Sequence, residues 1–440
     1  MTDVAESQTP DAVPLTAVPR PPVPGNLAET GLNATFLDNL MMKAMYTLGL
    51  ESTAELAQHL KLPETLVKAV FEDARAKRLM TVADVAEFST AVTLRFQLTD
   101  SGRARAMEAL EHSQYAGATP VPLDDYMRQV ERQSIGAERI DPDAMARSFE
   151  GVFLSPELAG QMGAALNQGH SLLLYGPPGN GKSIYSEAIV RSFVQSVYIP
   201  YAVVVDGQVI SVFDAAVHEP VAEDDDAPYD PRWVRCRRPA VIAGGELTME
   251  MLELIYDPDG SVYEAPLQLK ASGGVLIIDD FGRQSVPPDR ILNRWIVPLE
   301  RKRDYLALRS GKKVPVTFDE LVIFSTNLEP EDFMDAAMMR RIHYKIEIGA
   351  PGREEFEEIF RSVCQGANLA LPDDVLRYLF DEFYPAGTVE IARFHPKWIV
   401  EHVISACAYE GTEPRLDRAH VAEAVGHLAI AKKTPKPAPA

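Results

Sequence analysis

Cysteine is scarce in this chain. Its three residues in 440, Cys236, Cys364 and Cys407, are odd in number, far apart and outside any metal-ligand spacing. That argues against a disulfide framework or a thiolate metal cluster, and it fits reduced thiols of a cytoplasmic protein. No apolar run is long enough to span a bilayer. Residues 1–13 are acidic and lack the basic and apolar regions of a secretory signal. Positive charge is also in short supply, with 43 Lys and Arg against 64 Asp and Glu and a net charge of −21. The chain as a whole is therefore expected to repel nucleic acid and anionic membrane, although a local basic patch could still bind either. Length implies about three domains, and the apolar and charged fractions are those of a globular protein.

The most informative stretch is Leu172-Leu173-Leu174-Tyr175-Gly176-Pro177-Pro178-Gly179-Asn180-Gly181-Lys182-Ser183. It reads as a short apolar strand, a tight glycine-rich loop and a helix over 183–193. The loop fits G-x-x-x-x-G-K-[ST] at every defined position. Gly176, Gly179 and Gly181 let the backbone curl so that successive N–H groups point at phosphate oxygens. The helix that follows adds the positive end of its dipole. Lys182 can reach the β- and γ-phosphates, and the Ser183 hydroxyl can ligate Mg²⁺. A plain glycine-rich turn is the simpler alternative. The apolar strand before the loop and the amphipathic helix after it favour a nucleoside triphosphate site.

Residues 1–30, rich in Pro and Ala, are expected to form a disordered arm. Helical spacing follows over 35–48, 52–60 and 63–79, with Ser52 and Glu55 placed as a capping box. Residues 91–98 alternate like a half-buried strand, and a helix is expected over 101–112. This order over 31–118 resembles a winged helix-turn-helix domain, and Leu98–Arg103 resembles its wing-to-last-helix junction. The candidate recognition helix carries Lys68, Arg75, Lys77 and Arg78 but also Glu64, Glu72 and Asp73, so protein docking and DNA binding both stay open.

Residues 119–144, two Pro-bounded segments around a short helical pattern, read as a linker. Residues 149–153 could wall an adenine or simply anchor a loop in the core. Strands over 196–204 and 208–213 flank Asp206-Gly207, a hairpin signal. The acidic run 223–226 reads as a solvated loop. Nearby Arg232, Arg235, Arg237 and Arg238 read as its partners, or as a contact to a second subunit or a nucleic acid. A helix is expected over 247–255, then a turn at Asp257-Pro258-Asp259-Gly260.

Gly273-Gly274-Val275-Leu276-Ile277-Ile278-Asp279-Asp280 is the second chemical stretch. A continuous apolar run suits a strand buried on both faces of a parallel sheet, where ligands gather at the C-terminal strand ends. It resembles a Walker B segment. Asp279 would hold Mg²⁺ and Asp280 would orient the attacking water. A buried strand 321–327 ends at Asn327, a candidate for the γ-phosphate or that water. Residues 335–341 read as a helix ending in Arg340 and Arg341, either favourable charge at a helix C-terminus or arginine fingers reaching a neighbouring γ-phosphate. Residues 351–430 read as four helices, over 352–365, 372–383, 396–409 and 416–428, and 431–440 as a disordered tail.

Taken in this order, the pieces over 145–430 resemble the AAA+ ATPases: a parallel α/β P-loop core with flanking helices over 145–350 and a C-terminal helical lid over 351–430. The stretch 290–311 resembles the MoxR-like branch, and Asp279-Asp280-Phe281-Gly282 resembles helicase-loader and transposition-helper ATPases. The resemblance implies ATP and Mg²⁺ as ligands and a homo-oligomeric ring, usually a hexamer, with Arg340 and Arg341 supplied in trans. Gly176, Pro177, Pro178, Gly179, Asn180, Gly181, Lys182, Ser183 and Ile184 would bind the nucleotide, joined by Arg393 or Lys397 as the lid sensor. Asp280 stands where the superfamily usually has Glu, and no aromatic-apolar-Gly triplet lies where a substrate-threading pore loop is expected. The leading expectation is an ATPase that remodels or assembles a protein complex chosen by the winged helix. The alternatives are a DNA-handling ATPase of the loader or transposition-helper type and a slow nucleotide-switch scaffold.

Overall fold

The computed structural model describes residues 18–88, 91–222, 227–387 and 389–428. They divide into two compact units, one of 18–139, 193–277 and 284–322, the other of 140–192, 278–283 and 323–428.

In the first unit, helices Ala34–Leu48, Thr53–Leu60 and Glu64–Ala76 precede an antiparallel pair, Met80–Phe88 and Ala91–Leu98, and a helix Asp100–His112. Local chemistry sets the helix starts. The Asn33 side chain accepts from Phe36 N, Ser52 and Glu55 close the expected capping box, and Thr99 caps the last helix. Leu37, Leu40, Leu56, Val67 and Phe71 fill the core between the helices.

The remainder of this unit corrects several expectations. Residues 119–144 are not a linker, because Leu123–Arg132 is a helix whose Tyr126 and Val130 are buried with Val197, Ile199, Leu306 and Val316. Nor is the whole of 1–30 a loose arm. Pro19 O accepts from Gln129 Nε2, Pro21 O accepts from Asp230 N, and Thr30 is fully buried; residues 1–17 lie outside the described residues. The strand expected over 196–204 breaks at Tyr201, whose carbonyl takes the N–H groups of Val212 and Phe213. Ser196–Pro200 then pairs with Trp233–Arg237, while Ala202–Val205 turns through Asp206-Gly207 into Gln208–Ser211. Both turn residues have positive φ, 50° and 75°, as a tight hairpin turn requires. The helix expected over 247–255 shrinks to the 3₁₀ turn Glu250–Leu252, because Ile255–Asp257 joins Val262–Glu264 across the anticipated turn.

The arginine cluster has partners among the described residues. Arg232 pairs with Asp230 and donates to Thr30 O, and Arg238 pairs with Glu138 and donates to Gln133 O. Arg235 donates to Ser196 and Arg237 faces Glu219. Residues 223–226 are outside the described residues. Residues 193–277 and 284–322 group with the N-terminal residues, and the two share a core.

In the second unit, Leu172–Tyr175 pairs in parallel with Leu321–Thr326 on one side and Tyr344–Glu347 on the other, Leu172 lying opposite Ile323 and Tyr344. In their sheet the order of these three strands is Tyr344–Glu347, Leu172–Tyr175 and Leu321–Thr326. Helices Pro142–Ser148, Pro156–Gln168 and Lys182–Ser192 accompany it. The C-terminal bundle comprises Arg353–Gly366, Asp373–Arg377 running into the π-helical Tyr378–Phe383, His395–Glu410 and Arg418–Leu428, close to the expected segments. Phe356, Phe360, Leu379, Ile399, Val403 and Val421 form its core. The tail 431–440 is outside the described residues.

Candidate functional site

A cleft of about 630 Å³ in the second unit opens at the C-terminal end of strand Leu172–Tyr175. Pro178, Gly179, Asn180, Gly181, Lys182, Ser183 and Ile184 line it, together with Asp279, Asp280, Asn327, Arg393 and Lys397. Gly176 and Pro177 act one step back, as carbonyl acceptors for Lys182 Nζ at 2.8 and 2.9 Å. Two glycines are obligatory by geometry. A Cβ on Gly176 (φ +129°) would sit 2.7 Å from Ile348 O, and one on Gly179 (φ +80°) would sit 2.5 Å from the Phe394 ring.

Lys182 is 7% exposed. Burial holds its ammonium below the ordinary lysine range, while the carboxylates of Asp280 and Asp279 pull the other way. With two of its protons on loop carbonyls, the ammonium keeps one donor for a ligand.

The Ser183 hydroxyl donates to Asp279 Oδ2 at 2.7 Å. The two expected metal-binding groups therefore meet, although they are far apart in sequence. A hydroxyl beside a carboxylate is a hard-oxygen pair that suits Mg²⁺ completed by water and phosphate. Asp280 has φ +48°, in the left-handed region that Asp tolerates better than most residues. Its turn is fixed by the Asn327 strand: Phe281 N donates to Ser325 O at 2.7 Å, and the Thr326 hydroxyl donates to Phe281 O at 2.6 Å. Asn327 Nδ2 donates to Asp280 Oδ1 at 3.2 Å, which joins the two candidate water-handling groups. Asp280 is exposed and Asp279 half-buried, so desolvation alone does not demand a cation there, contrary to what a buried strand end suggests.

The lid residues divide. Arg393 reaches the loop, its N–H donating to Asn180 Oδ1 at 3.2 Å and its guanidinium to Glu355 at 2.6 Å and to Gly349 O. Lys397 stands at the rim, its side chain 72% exposed and 3.8 Å from Glu401. Arg340 and Arg341 end the helix Ala336–Arg341 and are not among the residues that line the cleft. Arg340 Nε donates to its own helix at Ala336 O, and the Arg341 carbonyl accepts from Ser171.

Residues 149–153 divide between the core and the cleft. Phe149 is buried against Tyr185, while Gly151, Val152 and Phe153 line the cleft, held by the bond from Tyr185 Oη to Phe153 O at 2.8 Å. Sequence reasoning missed Arg283 and Phe394. Arg283 lines the cleft three residues after Asp280, to whose carbonyl its N–H donates, so a cation one turn past the acidic pair was the available signal. Phe394 lies over Gly179, and Phe394 N donates to Gly179 O at 3.1 Å. No periodicity marks that contact.

Residues 352–427 match a family model described as a domain of unknown function, DUF8689. No curated protein sequence matches the chain. Among solved structures, NtrX from Brucella abortus in complex with ADP is similar at 15% identity and a TM-score of 0.37, over 72% of this chain and 63% of that one. A second NtrX structure from that organism gives 15% and 0.39, over 71% and 64%. The matches thus span less than two thirds of the NtrX chains. A mutant RuvB of Thermotoga maritima gives 12% and 0.35, over 67% of this chain and 73% of that one.

Proposed function

We propose that this chain is an ATPase of the AAA+ type that works as a homo-oligomeric ring, of six subunits by family analogy, to remodel or assemble a protein complex. The contact that carries the reading is the bond between Ser183 and Asp279, which unites the phosphate-loop helix with the acidic strand end at one cleft. Loop N–H groups and Lys182 would receive the β- and γ-phosphates of ATP. Mg²⁺, held by Ser183 and through water by Asp279, would neutralise charge developing on the phosphates. Asp280 and Asn327, already hydrogen-bonded to each other, would position the attacking water. The apolar Val152 and Phe153 suit the adenine, and Arg393 would report the nucleotide to the lid. Arg340 and Arg341, outside their own subunit's cleft, would act in the neighbouring one. MoxR-like insertion features are supported only by the helix Pro288–Arg301 and the strand pair that follows it.

The N-terminal three helices, hairpin and fourth helix suit a winged-helix module that selects the partner. Its candidate recognition helix favours a protein over DNA, because Lys68 pairs with Glu64, Arg75 with Glu72, and Lys77 with Asp38 and Asp73. A duplex would have to compete with four carboxylates for three cations. Among the described residues no helix is long and apolar enough to cross a membrane, and a cytoplasmic setting is part of the proposal.

One experiment tests it: phosphate release from Mg·ATP by the full chain, by Asp280→Asn and by Arg341→Ala. Asn tolerates the left-handed turn, so Asp280→Asn should bind ATP and retain it while release falls about 100-fold. Arg341→Ala should be slow alone and partly rescued on mixing with Lys182→Ala. Undiminished release by Asp280→Asn removes that carboxylate from the reaction, and absence of rescue at any ratio argues for sites complete in one chain. Negligible release by the wild type at every protein concentration would favour a switch.

A further inference from the structure

The C-terminal bundle carries a second cluster of ligand-type side chains that has no part in the nucleotide cleft. His402 lies on helix His395–Glu410, and Glu423 and His427 lie on helix Arg418–Leu428. One ligand atom from each falls within 4.8 Å of the other two. Glu423 and His427 are four residues apart, so both project from one face of their helix. His402 faces them across the interhelical seam, its ring centroid 4.9 Å from that of His427.

We propose that these three residues form a divalent transition-metal site, of Zn²⁺ type, that clamps the last helix of the bundle to the one before it. Two imidazoles and one carboxylate are a nitrogen–oxygen set preferred by Zn²⁺ and by Co²⁺ as its stand-in, and they leave a fourth position for water. Around Zn²⁺ with bonds of about 2.0–2.2 Å, tetrahedral donors lie roughly 3.3–3.5 Å apart. Side-chain rotation of about an ångström closes the present spacing to that figure. The helices need not move, because Val403 and Cys407 of one and Val421, Ala424 and Val425 of the other share one buried core that holds their separation. Trp398, one turn before His402, stacks on its ring at 6.4 Å and 22° and limits its rotation. The carboxylate supplies negative charge without a neighbouring lysine in the ligand set. The neighbouring His420 is a different case, held between Asp417 Oδ1 at 3.0 Å and Cys407 Sγ at 3.9 Å.

The test uses the full chain, stripped with chelator and free of nucleotide, titrated with Zn²⁺ in competition with a chromophoric chelator and in parallel with Co²⁺ read by visible absorption. The expected result is one equivalent bound with a tetrahedral Co²⁺ spectrum. His402→Ala and His427→Ala should each weaken binding at least about tenfold, Glu423→Gln less, and His420→Ala not at all. Hydrogen exchange over 395–428 should slow on adding Zn²⁺ to the wild type and not to His427→Ala. These side chains lie on the bundle surface, so the variants keep the core. Absence of a bound equivalent in the wild type overturns the proposal. So does retention of that equivalent by both histidine variants, which would place the ion elsewhere, and so does equal loss in His420→Ala.

Discussion

Gly179 shows how little space the glycine-rich loop leaves. Its backbone is left-handed, and the Phe394 ring stands where a Cβ would go. Gly179→Ala therefore meets two penalties, an αL cost of about 1–2 kcal/mol and displacement of the aromatic ring. The expected outcome is ATP affinity lowered about tenfold, since 1.4 kcal/mol is a factor of ten. Adding Phe394→Ala should return part of that loss, measured by nucleotide titration of single and double variants. If the double variant binds no better than Gly179→Ala, the ring is not the obstacle. Most of the loop was legible residue by residue because its pattern states a backbone requirement. Phe394 was not, because nothing local in 393–397 says what its ring will cover.

The lid helix His395–Glu410 opens with a histidine that is 2% exposed. His395 Nδ1 is 2.9 Å from Tyr384 Oη, and burial pushes the imidazole down to about 4 from an ordinary 6.5. Because the folded value lies below the unfolded one, only the unfolded chain gains a proton between about pH 6.5 and pH 4. Lid stability is therefore full above that window and falls as pH drops through it, by about 2 kcal/mol at pH 5. Hydrogen exchange over 395–410 should quicken from pH 7.5 to pH 5, after correction for intrinsic rates, and His395→Gln should flatten the change. An equal slope in that variant would assign the effect to another group. The lid's four segments were readable because their apolar spacing matches one shared core. The core role of Leu123–Arg132 was not: a short helical pattern between Pro-bounded segments looks like a connection, and only Val197, Ile199 and Leu306, distant in sequence, make it a core helix. Among the described residues the four arginines of 232–238 meet Asp230, Ser196, Glu219 and Glu138, of which Ser196 and Glu138 are distant in sequence.

At the scale of the whole molecule, two compact units are assembled from interleaved segments, and the cleft belongs entirely to one of them. The α/β core was legible from its three apolar strands and their polar ends. The sharing of 193–277 and 284–322 with the N-terminal region was not, since no composition change marks it. The proposed function rests on triphosphate recognition by the loop, the Lys182 ammonium and the Ser183–Asp279 oxygens. The most direct test is equilibrium titration of Mg·ATP into the full chain and into Lys182→Ala. The account predicts one ATP per wild-type chain and at least about a tenfold to hundredfold loss in the variant, the worth of charge-assisted bonds of roughly 1.5–3 kcal/mol. Equal affinity in the two proteins, or no binding by the wild type, would contradict it.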